Sequence, residues 1–162
     1  MDCFRIDWTG YYSLNDAIGR QEAKKLGVYA VYKPTTKKKS LWYFGKATNI
    51  GKRLDDHRKE WQQILSPTQM SKLQVAIGVI KLLEGEKVSQ PQLKDTESLF
   101  INEYNPERND PSTKKGYKGK SILIINTGKI GLFSKITIHD KSLLKQIKDN
   151  LITKRKTAND SW

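Results

Sequence analysis

The segment Leu41–Glu60, with the sequence LWYFGKATNIGKRLDDHRKE, constrains the fold more than any other because it predicts three structural elements in succession. Leu41–Phe44 is predicted to be a short strand, since aromatic residues suit a pleated surface. Gly45 permits a close turn of the backbone, and Asn49 is a suitable cap for a helix that begins near Ile50. The segment therefore predicts a strand, a glycine turn and a charged helix.

The predicted helix carries an arginine–histidine pair beside an apolar stripe. Arg53 and His57 are four residues apart, so they share one face of the helix. Lys46 directly follows the glycine turn and adds a further cation. The apolar stripe consists of Ile50, Leu54, Trp61 and Leu65. A strand end, a lysine and an arginine–histidine pair form an arrangement suited to binding a phosphate.

Two further strands are predicted around this segment. Gly27–Tyr32 alternates as a strand does, and the polar link Lys33–Ser40 predicts a hairpin that makes Leu41–Phe44 antiparallel to it. Lys72–Leu83 is predicted to be a third strand, in which Gly78 marks a bulge or a close backbone approach. The fold class that we predict is α/β (α+β), with a three-stranded antiparallel central sheet flanked by helices.

The N-terminal residues are predicted to add a strand and a helix to this module. Phe4–Trp8 alternates and is predicted to be an edge strand that Gly10 ends. Ser13 is a suitable cap for a helix over Leu14–Lys25, which Gly19 weakens.

The C-terminal residues are predicted to form a β-hairpin and a helix. Ser121–Ile125 and Ile130–Ile138 are the predicted strands, joined by a turn at Asn126–Gly128. Asp140 is a suitable cap for a final helix, and Thr153–Trp162 is predicted to be a basic tail. The residues that this helix is expected to bury are Leu143, Leu144, Ile147 and Leu151. We therefore divide one compact domain into residues 1–25, 26–110 and 111–162.

A helix in the middle of the chain carries an acidic residue on its apolar face. A capping-box pattern at Ser89–Gln92 predicts its beginning, and it is expected to end near Tyr104, before Pro106. Glu97 falls on the same face as the apolar residues Leu93, Phe100, Ile101 and Tyr104. Burying an ionised carboxylate costs several kcal/mol, so Glu97 needs a cation, a metal or strong hydrogen-bond donors. The alternative is that Glu97 lies at the edge of the stripe and reaches water.

Composition narrows the class of protein. A chain of 162 residues suits one domain with a moderate core. Its single cysteine, Cys3, excludes an internal disulfide and a multi-cysteine zinc site. No apolar run reaches about 18 residues, and the first residues lack the features of a signal peptide. We therefore expect no membrane partner and a cytoplasmic location.

The net charge of +13, with a pI near 9.7, is concentrated towards the C-terminus. Residues 111–162 hold twelve Lys/Arg against three Asp/Glu, or +9, whereas residues 1–110 hold eighteen against fourteen, or +4. Such a field favours a polyanion such as DNA, although lysine-rich surfaces also serve solubility. The lysines that we predict to bind DNA are Lys37, Lys38, Lys39, Lys114, Lys115 and Lys118.

Four blocks of the sequence resemble the GIY-YIG nuclease family, in the order that the family has them. GVY at 27–29 and YFG at 43–45 are similar to the two halves of the signature. GKATNIGKRLDDH at 45–57 resembles the family's glycine, lysine and arginine–histidine segment. ESLFINEYNPERN at 97–109 is similar to the helix with the metal-binding glutamate and the proline and asparagine after it. The resemblance covers about residues 26–110, and Val28 and Phe44 replace isoleucines at packing positions.

This resemblance implies a site for phosphodiester hydrolysis, which needs an aligned water, a base, charge compensation and help for the leaving oxygen. It implies that Glu97 holds one divalent cation, Mg²⁺ or Mn²⁺, and that Arg53 stabilises charge on the phosphate. Tyr29 is implied as the base or the group that orients the water, with a pKa that Lys46 or the metal would lower. His57 either orients Arg53, accepts a proton or contacts the phosphate. The other implied site residues are Tyr43, which bonds to Tyr29 or the phosphate, and Asn109, which steadies the site.

Each of these residues also has an ordinary structural interpretation. Tyr29 and Tyr43 could be sheet aromatics, and Lys46 could be a solvated turn residue. Arg53 and His57 could lie on an exposed helix face. Their joint occurrence in one ordered pattern favours the functional interpretation.

The resemblance implies a metal-dependent DNA endonuclease that leaves 3′-hydroxyl and 5′-phosphate ends. A small enzyme with a short extension is most similar to a restriction-type member, which would cut a duplex as a homodimer or in two successive events. A mobile-element enzyme usually needs a longer DNA-binding appendage than these 52 residues, 111–162. A repair nuclease often carries a zinc module that one cysteine cannot supply. A non-catalytic nucleic-acid-binding protein with the same fold is a further alternative.

Overall fold

Six strands form one sheet in the part of the chain that the computed structural model describes, residues 1–35, 39–140, 142–143 and 145. They are β1 (Asp2–Ser13), β2 (Gly27–Pro34), β3 (Lys39–Ala47), β4 (Gln74–Leu82), β5 (Ile122–Gly128) and β6 (Ile136–His139). Their order across the sheet is β3-β2-β4-β1-β5-β6. Strands β1 and β5 are parallel, and all other neighbours are antiparallel.

Four helices accompany the sheet in these described parts of the chain. They are α1 (Leu14–Gly19), α2 (Ile50–Trp61), α3 (Pro67–Ser71) and α4 (Gln90–Tyr104). The mixed α/β class that the sequence predicts is confirmed. None of these helices combines the length and the apolar character that crossing a membrane requires.

The three strands that the sequence predicts are present as β2, β3 and β4 of the six-stranded sheet. Strand β2 lies between β3 and β4 and is antiparallel to both. The sheet is wider than the predicted three strands, because β4 also pairs with β1. Gly78 is a close approach without a bulge against β2: a β-carbon there would lie 2.7 Å from Ile6 Cγ2 and 3.0 Å from the Trp8 ring.

The prediction of an N-terminal edge strand is wrong. Strand β1 continues through Gly10 to Ser13 and lies inside the sheet, between β4 and β5. The alternation that indicated a strand is real, since Phe4, Ile6 and Trp8 are all buried. Alternation reports which face of a strand is buried, but it carries no information about how many neighbours the strand has.

The predicted helix caps are present and α4 ends at Tyr104 as predicted, whereas the predicted end of α1 is wrong. Ser13, Asn49 and Ser89 each accept a hydrogen bond from a backbone N–H of the first turn, as expected for caps. The predicted helix over Leu14–Lys25 is wrong in its length: α1 ends at Gly19, and a 3₁₀ turn covers Glu22–Lys24. Helix α3 was not predicted, although Ser66, Pro67 and Gln69 give it a complete capping box.

The C-terminal hairpin is present with different bounds. The predicted turn at Asn126–Gly128 belongs to β5, and the predicted strand Ile130–Ile138 is reduced to Ile136–His139. The reason is Phe133, which is 3% exposed and anchors the connecting loop in the core. Asp140 Oδ1 accepts the N–H groups of Ser142 and Leu143, as a cap does. The predicted burial of Leu143 is wrong, since the residue is 42% exposed. The other residues that this helix is expected to bury, Leu144, Ile147 and Leu151, and the tail 153–162 lie outside the described residues.

The sheet separates two apolar layers. One layer packs α4 against the sheet through stacked rings of Phe44 and Phe100, whose centroids are 4.8 Å apart, with Trp8 beside them. The other layer holds α1 and α2, with Ile50 and Leu54 buried against β2 and β4. The ends of β2 and β3 thus lie between α2 on one face and α4 on the other.

Candidate functional site

Five predicted site residues come together at the β2–β3 end of the sheet. Tyr29 is on β2, Tyr43 on β3, Arg53 and His57 on α2, and Glu97 on α4. Tyr29 interacts electrostatically with Tyr43, Arg53 and Glu97, and its ring stacks 6.2 Å from that of Tyr43. Residues that are up to 68 positions apart in the sequence therefore form one cluster.

Gly45 makes room for the phenol of Tyr29. The two residues are opposite each other in the β2–β3 pair, and a β-carbon on residue 45 would collide with the Tyr29 hydroxyl and ring. The glycine in the strand–turn–helix segment therefore does more than permit a turn. It lets a side chain of the neighbouring strand lie across β3 towards α2.

His57 is bonded at both ring nitrogens. Its Nε2 lies 2.8 Å from the Tyr29 hydroxyl, and its Nδ1 lies 3.3 Å from Oε2 of Glu60. The imidazole is 3% exposed and stacks on Trp61, with ring centroids 4.6 Å apart. Burial and then the Arg53 charge lower the pKa of His57, although Glu60 opposes them. The ring is neutral at pH 7, so Nδ1–H can donate to Glu60 while Nε2 accepts from Tyr29.

Both tyrosines of the cluster keep their protons at neutral pH. Burial raises the pKa of Tyr29, with a further rise from Tyr43, while Arg53 opposes the rise by its charge and by a hydrogen bond. Burial and then Glu97 raise the pKa of Tyr43. The cation that acts on the Tyr29 phenol is thus Arg53 rather than Lys46, and it does not overcome burial.

Arg53 borders a surface cleft and also interacts with the other residues of the cluster. The side chain is exposed on α2, and its charge acts on Tyr29, His57 and Glu97. We call this cleft, of about 440 Å³, the Arg53 cleft. Its walls include Tyr43, Arg53, His57, Trp61, Arg108 and Pro111.

Glu97 is half-buried at the edge of the apolar face of α4. Burial raises its pKa, and this rise is opposed first by the charge and backbone N–H of Lys46, then by Arg53 and Lys94. The carboxylate therefore has both cations and a hydrogen-bond donor. It forms part of a second cleft of about 470 Å³, which we call the Glu97 cleft. The walls of this cleft include Lys94, Glu97, Ser112, Lys115, Lys118 and Gly119.

The donors available for a divalent cation are few. Within residues 1–35, 39–140, 142–143 and 145, no group of three or more His, Cys, Asp or Glu side chains lies close enough to hold a metal. Mg²⁺ commonly binds through one or two carboxylates, several waters and substrate phosphates. Glu97 fits that pattern, because its carboxylate borders an open cleft and the Lys46 amide occupies only part of its acceptor capacity.

Asn109 lies outside the cluster and holds the strand that carries Tyr43 and Gly45. Its Oδ1 accepts the N–H of Phe44 at 2.9 Å, and its Nδ2 donates to the carbonyl of Phe44 at 2.8 Å. Arg108 N–H donates to the Trp42 carbonyl at 2.6 Å. Segment 107–109 thereby provides hydrogen-bond partners for backbone groups on the outer edge of β3, whose other edge pairs with β2.

The structure separates the lysines that we predict to bind DNA. Lys115 and Lys118 border the Glu97 cleft, whereas Lys114 ends a 3₁₀ turn beside it. Lys39 places its ammonium 3.6 Å above the Tyr11 ring, at the hairpin end of β3 and away from Gly45. Lys37 and Lys38 lie outside the described residues.

Four further residues of this region were missed by sequence reasoning. Glu60 is three positions after His57, a spacing that brings helical side chains together and could have been recognised. Trp61 was assigned to the apolar stripe. It is buried there, and its ring also stacks on His57. Lys94 and Arg108 gave no local signal, because their position beside the clefts depends on how α4 and the segment after it pack.

No protein-family model, curated protein or solved structure matches this chain. What can be said of function therefore depends on the chemistry of the cluster and its two clefts.

Proposed function

We propose that this protein is a metal-dependent DNA endonuclease of the GIY-YIG type, which hydrolyses phosphodiester bonds. The observation that supports this best is the meeting of Tyr29, Tyr43, Arg53, His57 and Glu97 from four separate elements. The resemblance of residues 26–110 to that family implies these five residues together with Lys46 and Asn109. In this proposal β3, β2 and β4, with α2 and α4, form the nuclease module.

The proposed base is a relay rather than a free phenolate. A water that donates to the Tyr29 hydroxyl oxygen transfers its proton there while the phenol passes its own proton to Nε2 of His57, 2.8 Å away. Glu60, bonded to Nδ1, stabilises the imidazolium that forms. Because no tyrosinate has to accumulate, the raised pKa of Tyr29 is compatible with catalysis.

Arg53 supplies charge compensation for the phosphate in this proposal. Its guanidinium charge acts on the proton-accepting groups, Tyr29 and His57, and on the carboxylate of Glu97. A phosphate bound there would accept N–H bonds from the side that receives the attacking water. A guanidinium keeps its proton at any working pH, so this compensation does not depend on titration.

Glu97 is the residue that would hold Mg²⁺ or Mn²⁺. A divalent cation bound there supplies charge stabilisation for the scissile phosphate and for the departing 3′ oxygen. The positive charges of Lys46 and Arg53 keep Glu97 ionised more readily than burial alone would allow, which preserves its lone pairs as ligands.

We propose a restriction-type role, in which a homodimer or two successive events cut both strands. The basic charge of residues 111–162, with twelve Lys/Arg against three Asp/Glu, supports DNA recognition by the part of the chain that follows the nuclease module. Mapping the ends of the products on a defined plasmid would separate this role from a non-specific nuclease. Discrete fragments indicate site recognition, and a smear indicates its absence.

The deciding experiment compares Glu97→Gln with Glu103→Gln, an equal change on the exposed face of the same helix. Wild type and Glu103→Gln are expected to cleave a plasmid in Mg²⁺, and Glu97→Gln to lose at least about 100-fold in rate while still binding DNA. If the wild type binds DNA but cleaves it with neither Mg²⁺ nor Mn²⁺, the protein is a binding module. Equal rates for both variants would remove Glu97 from the mechanism.

A further inference from the structure

The Arg53 cleft and the Glu97 cleft adjoin at two points. Arg53 borders one and Glu97 the other, and these two side chains interact electrostatically. Pro111 borders the first cleft and the next residue, Ser112, borders the second. The two clefts are therefore neighbours, and we refer to them together as the groove.

The far wall of the Glu97 cleft is a loop that is fastened to α4. Asn102 donates to the Thr113 carbonyl at 3.1 Å and accepts the N–H of Gly116 at 2.8 Å. Asp95 accepts the N–H of Lys120 at 3.3 Å. These bonds hold the loop 111–120 at both ends of the segment that carries Lys115 and Lys118.

Both halves of the groove present cations to a phosphate chain. Lys94, Lys115 and Lys118 border the Glu97 cleft, and Arg53 and Arg108 border the Arg53 cleft. Three carboxylates also border the clefts, and each accepts a hydrogen bond: Glu60 from His57 and Asp110 from the N–H of Ser112 in the Arg53 cleft, and Asp95 from the N–H of Lys120 in the Glu97 cleft. Arg108 is held in place through its backbone bond to Trp42.

The positions of the proposed base and the proposed metal ligand give this groove a direction. In an in-line displacement the attacking water and the leaving 3′ oxygen are on opposite sides of the phosphorus. His57, whose Nε2 is bonded to the Tyr29 hydroxyl, borders the Arg53 cleft, and Glu97 borders the other cleft. The leaving oxygen, and the nucleotide that carries it, must then be on the Glu97 side.

We infer that the cleaved strand runs through the groove in one polarity: its 5′ part lies in the Glu97 cleft against Lys115 and Lys118, and its 3′ part lies in the Arg53 cleft against Arg108. This inference rests on the proposed nuclease function. It assigns Arg108 and Lys94 to phosphate binding, and it distinguishes the phosphates on the two sides of the cut bond.

Methylphosphonate substitution tests this polarity, because it removes the charge of one phosphate at a time. Duplexes carry one such group either one or two positions 5′ of a mapped cleavage site, or at the matching positions on its 3′ side. The kcat/KM for cleavage in Mg²⁺ is measured for wild type, Lys115→Gln/Lys118→Gln and Arg108→Gln. Lys129→Gln is the control, since Lys129 is exposed and borders neither cleft.

Each single methylphosphonate is expected to lower the wild-type kcat/KM by about tenfold. The lysine variant should lose its sensitivity on the 5′ side alone, and Arg108→Gln on the 3′ side alone, while Lys129→Gln keeps both. The reverse pattern overturns the polarity. If both variants keep the full wild-type sensitivity to methylphosphonates on both sides, the groove does not bind these phosphates, even if cleavage proceeds. A wild type that cleaves no DNA overturns the proposed function and, with it, this path.

Discussion

At residue 45 a β-carbon would collide with the Tyr29 hydroxyl, so the glycine leaves the space that the phenol occupies. Gly45→Ala is expected to displace Tyr29, to destabilise the fold by about 1–3 kcal/mol and to lower cleavage more than tenfold. Urea unfolding and the cleavage rate measure the two effects.

Gly19→Ala is the matched control, because no atom lies within 4 Å of a β-carbon there and the residue is in a helix. It should be neutral or stabilising by up to about 1 kcal/mol. Equal effects of the two changes would contradict this account.

Glu97 is expected to cost stability at neutral pH. Because its pKa is raised above 4.5 in the folded chain, the folded state holds the proton after the unfolded state has released it. The free energy of unfolding therefore falls as the pH rises from about 4.5 through the folded pKa. Glu97→Gln cannot ionise, so it should be more stable than wild type at pH 7 and gain nothing at pH 4. Urea unfolding at both pH values checks this, and a gain at pH 4 alone would contradict it.

His57 is expected to set an acid limit on both activity and stability. Its pKa is lowered below 6.5, so the unfolded chain takes up a proton before the folded chain does. Stability therefore falls as the pH decreases from 6.5 through the folded pKa, and kcat/KM falls near the folded pKa because Nε2 can no longer accept a proton. An NMR titration of the imidazole, assigned with His57→Gln, measures this pKa. A midpoint above 6.5 would show that the ring is not a neutral acceptor.

At the scale of elements, the side chain of Asn109 closes the outer edge of β3. Asn109→Ala leaves the N–H and carbonyl of Phe44 without their partners, and we expect a loss of about 1–3 kcal/mol. Hydrogen exchange should show faster exchange of the Phe44 amide. Asn102→Ala is the matched control, since it loosens the loop 111–120 and leaves β3 unchanged. An unchanged exchange rate of the Phe44 amide in Asn109→Ala would show that β3 does not depend on the Asn109 hydrogen bonds.

Local chemistry made some elements predictable and left others open. The caps Ser13, Asn49 and Ser89 were predictable because the bonding partner of each is three residues away. The pairing of β2 with β3 was predictable because a hairpin leaves little choice. The place of β1 was not, since its partners are 61–78 residues away in β4 and 120 residues away in β5, and packing decides both pairings.

The same distinction holds for the site across the whole molecule. Arg53 and His57 share a helix face, so their proximity follows from spacing. That Tyr29 bonds to His57 rather than only to Tyr43 depends on how α2 crosses the sheet, which periodicity does not encode. The two clefts depend on the packing of segment 107–109 and loop 111–120, so Arg108 and Lys94 were found only in the structure.

The proposed nuclease module, residues 26–110, is expected not to fold without its flanks. In the whole chain β4 pairs with β1 along its length, and Phe4, Ile6 and Trp8 of β1 are at most 2% exposed against the core around Phe44. A fragment of residues 26–110 would leave this edge of β4 and the apolar surface beneath it open to water, at about 25 cal/mol for each Å² of apolar area. Near-UV circular dichroism and urea unfolding of the fragment should show no fixed aromatic signal and no cooperative transition, whereas the whole chain shows both. A fragment that unfolds cooperatively would show that the strand from residues 1–25 is an addition to a self-sufficient module rather than part of its core.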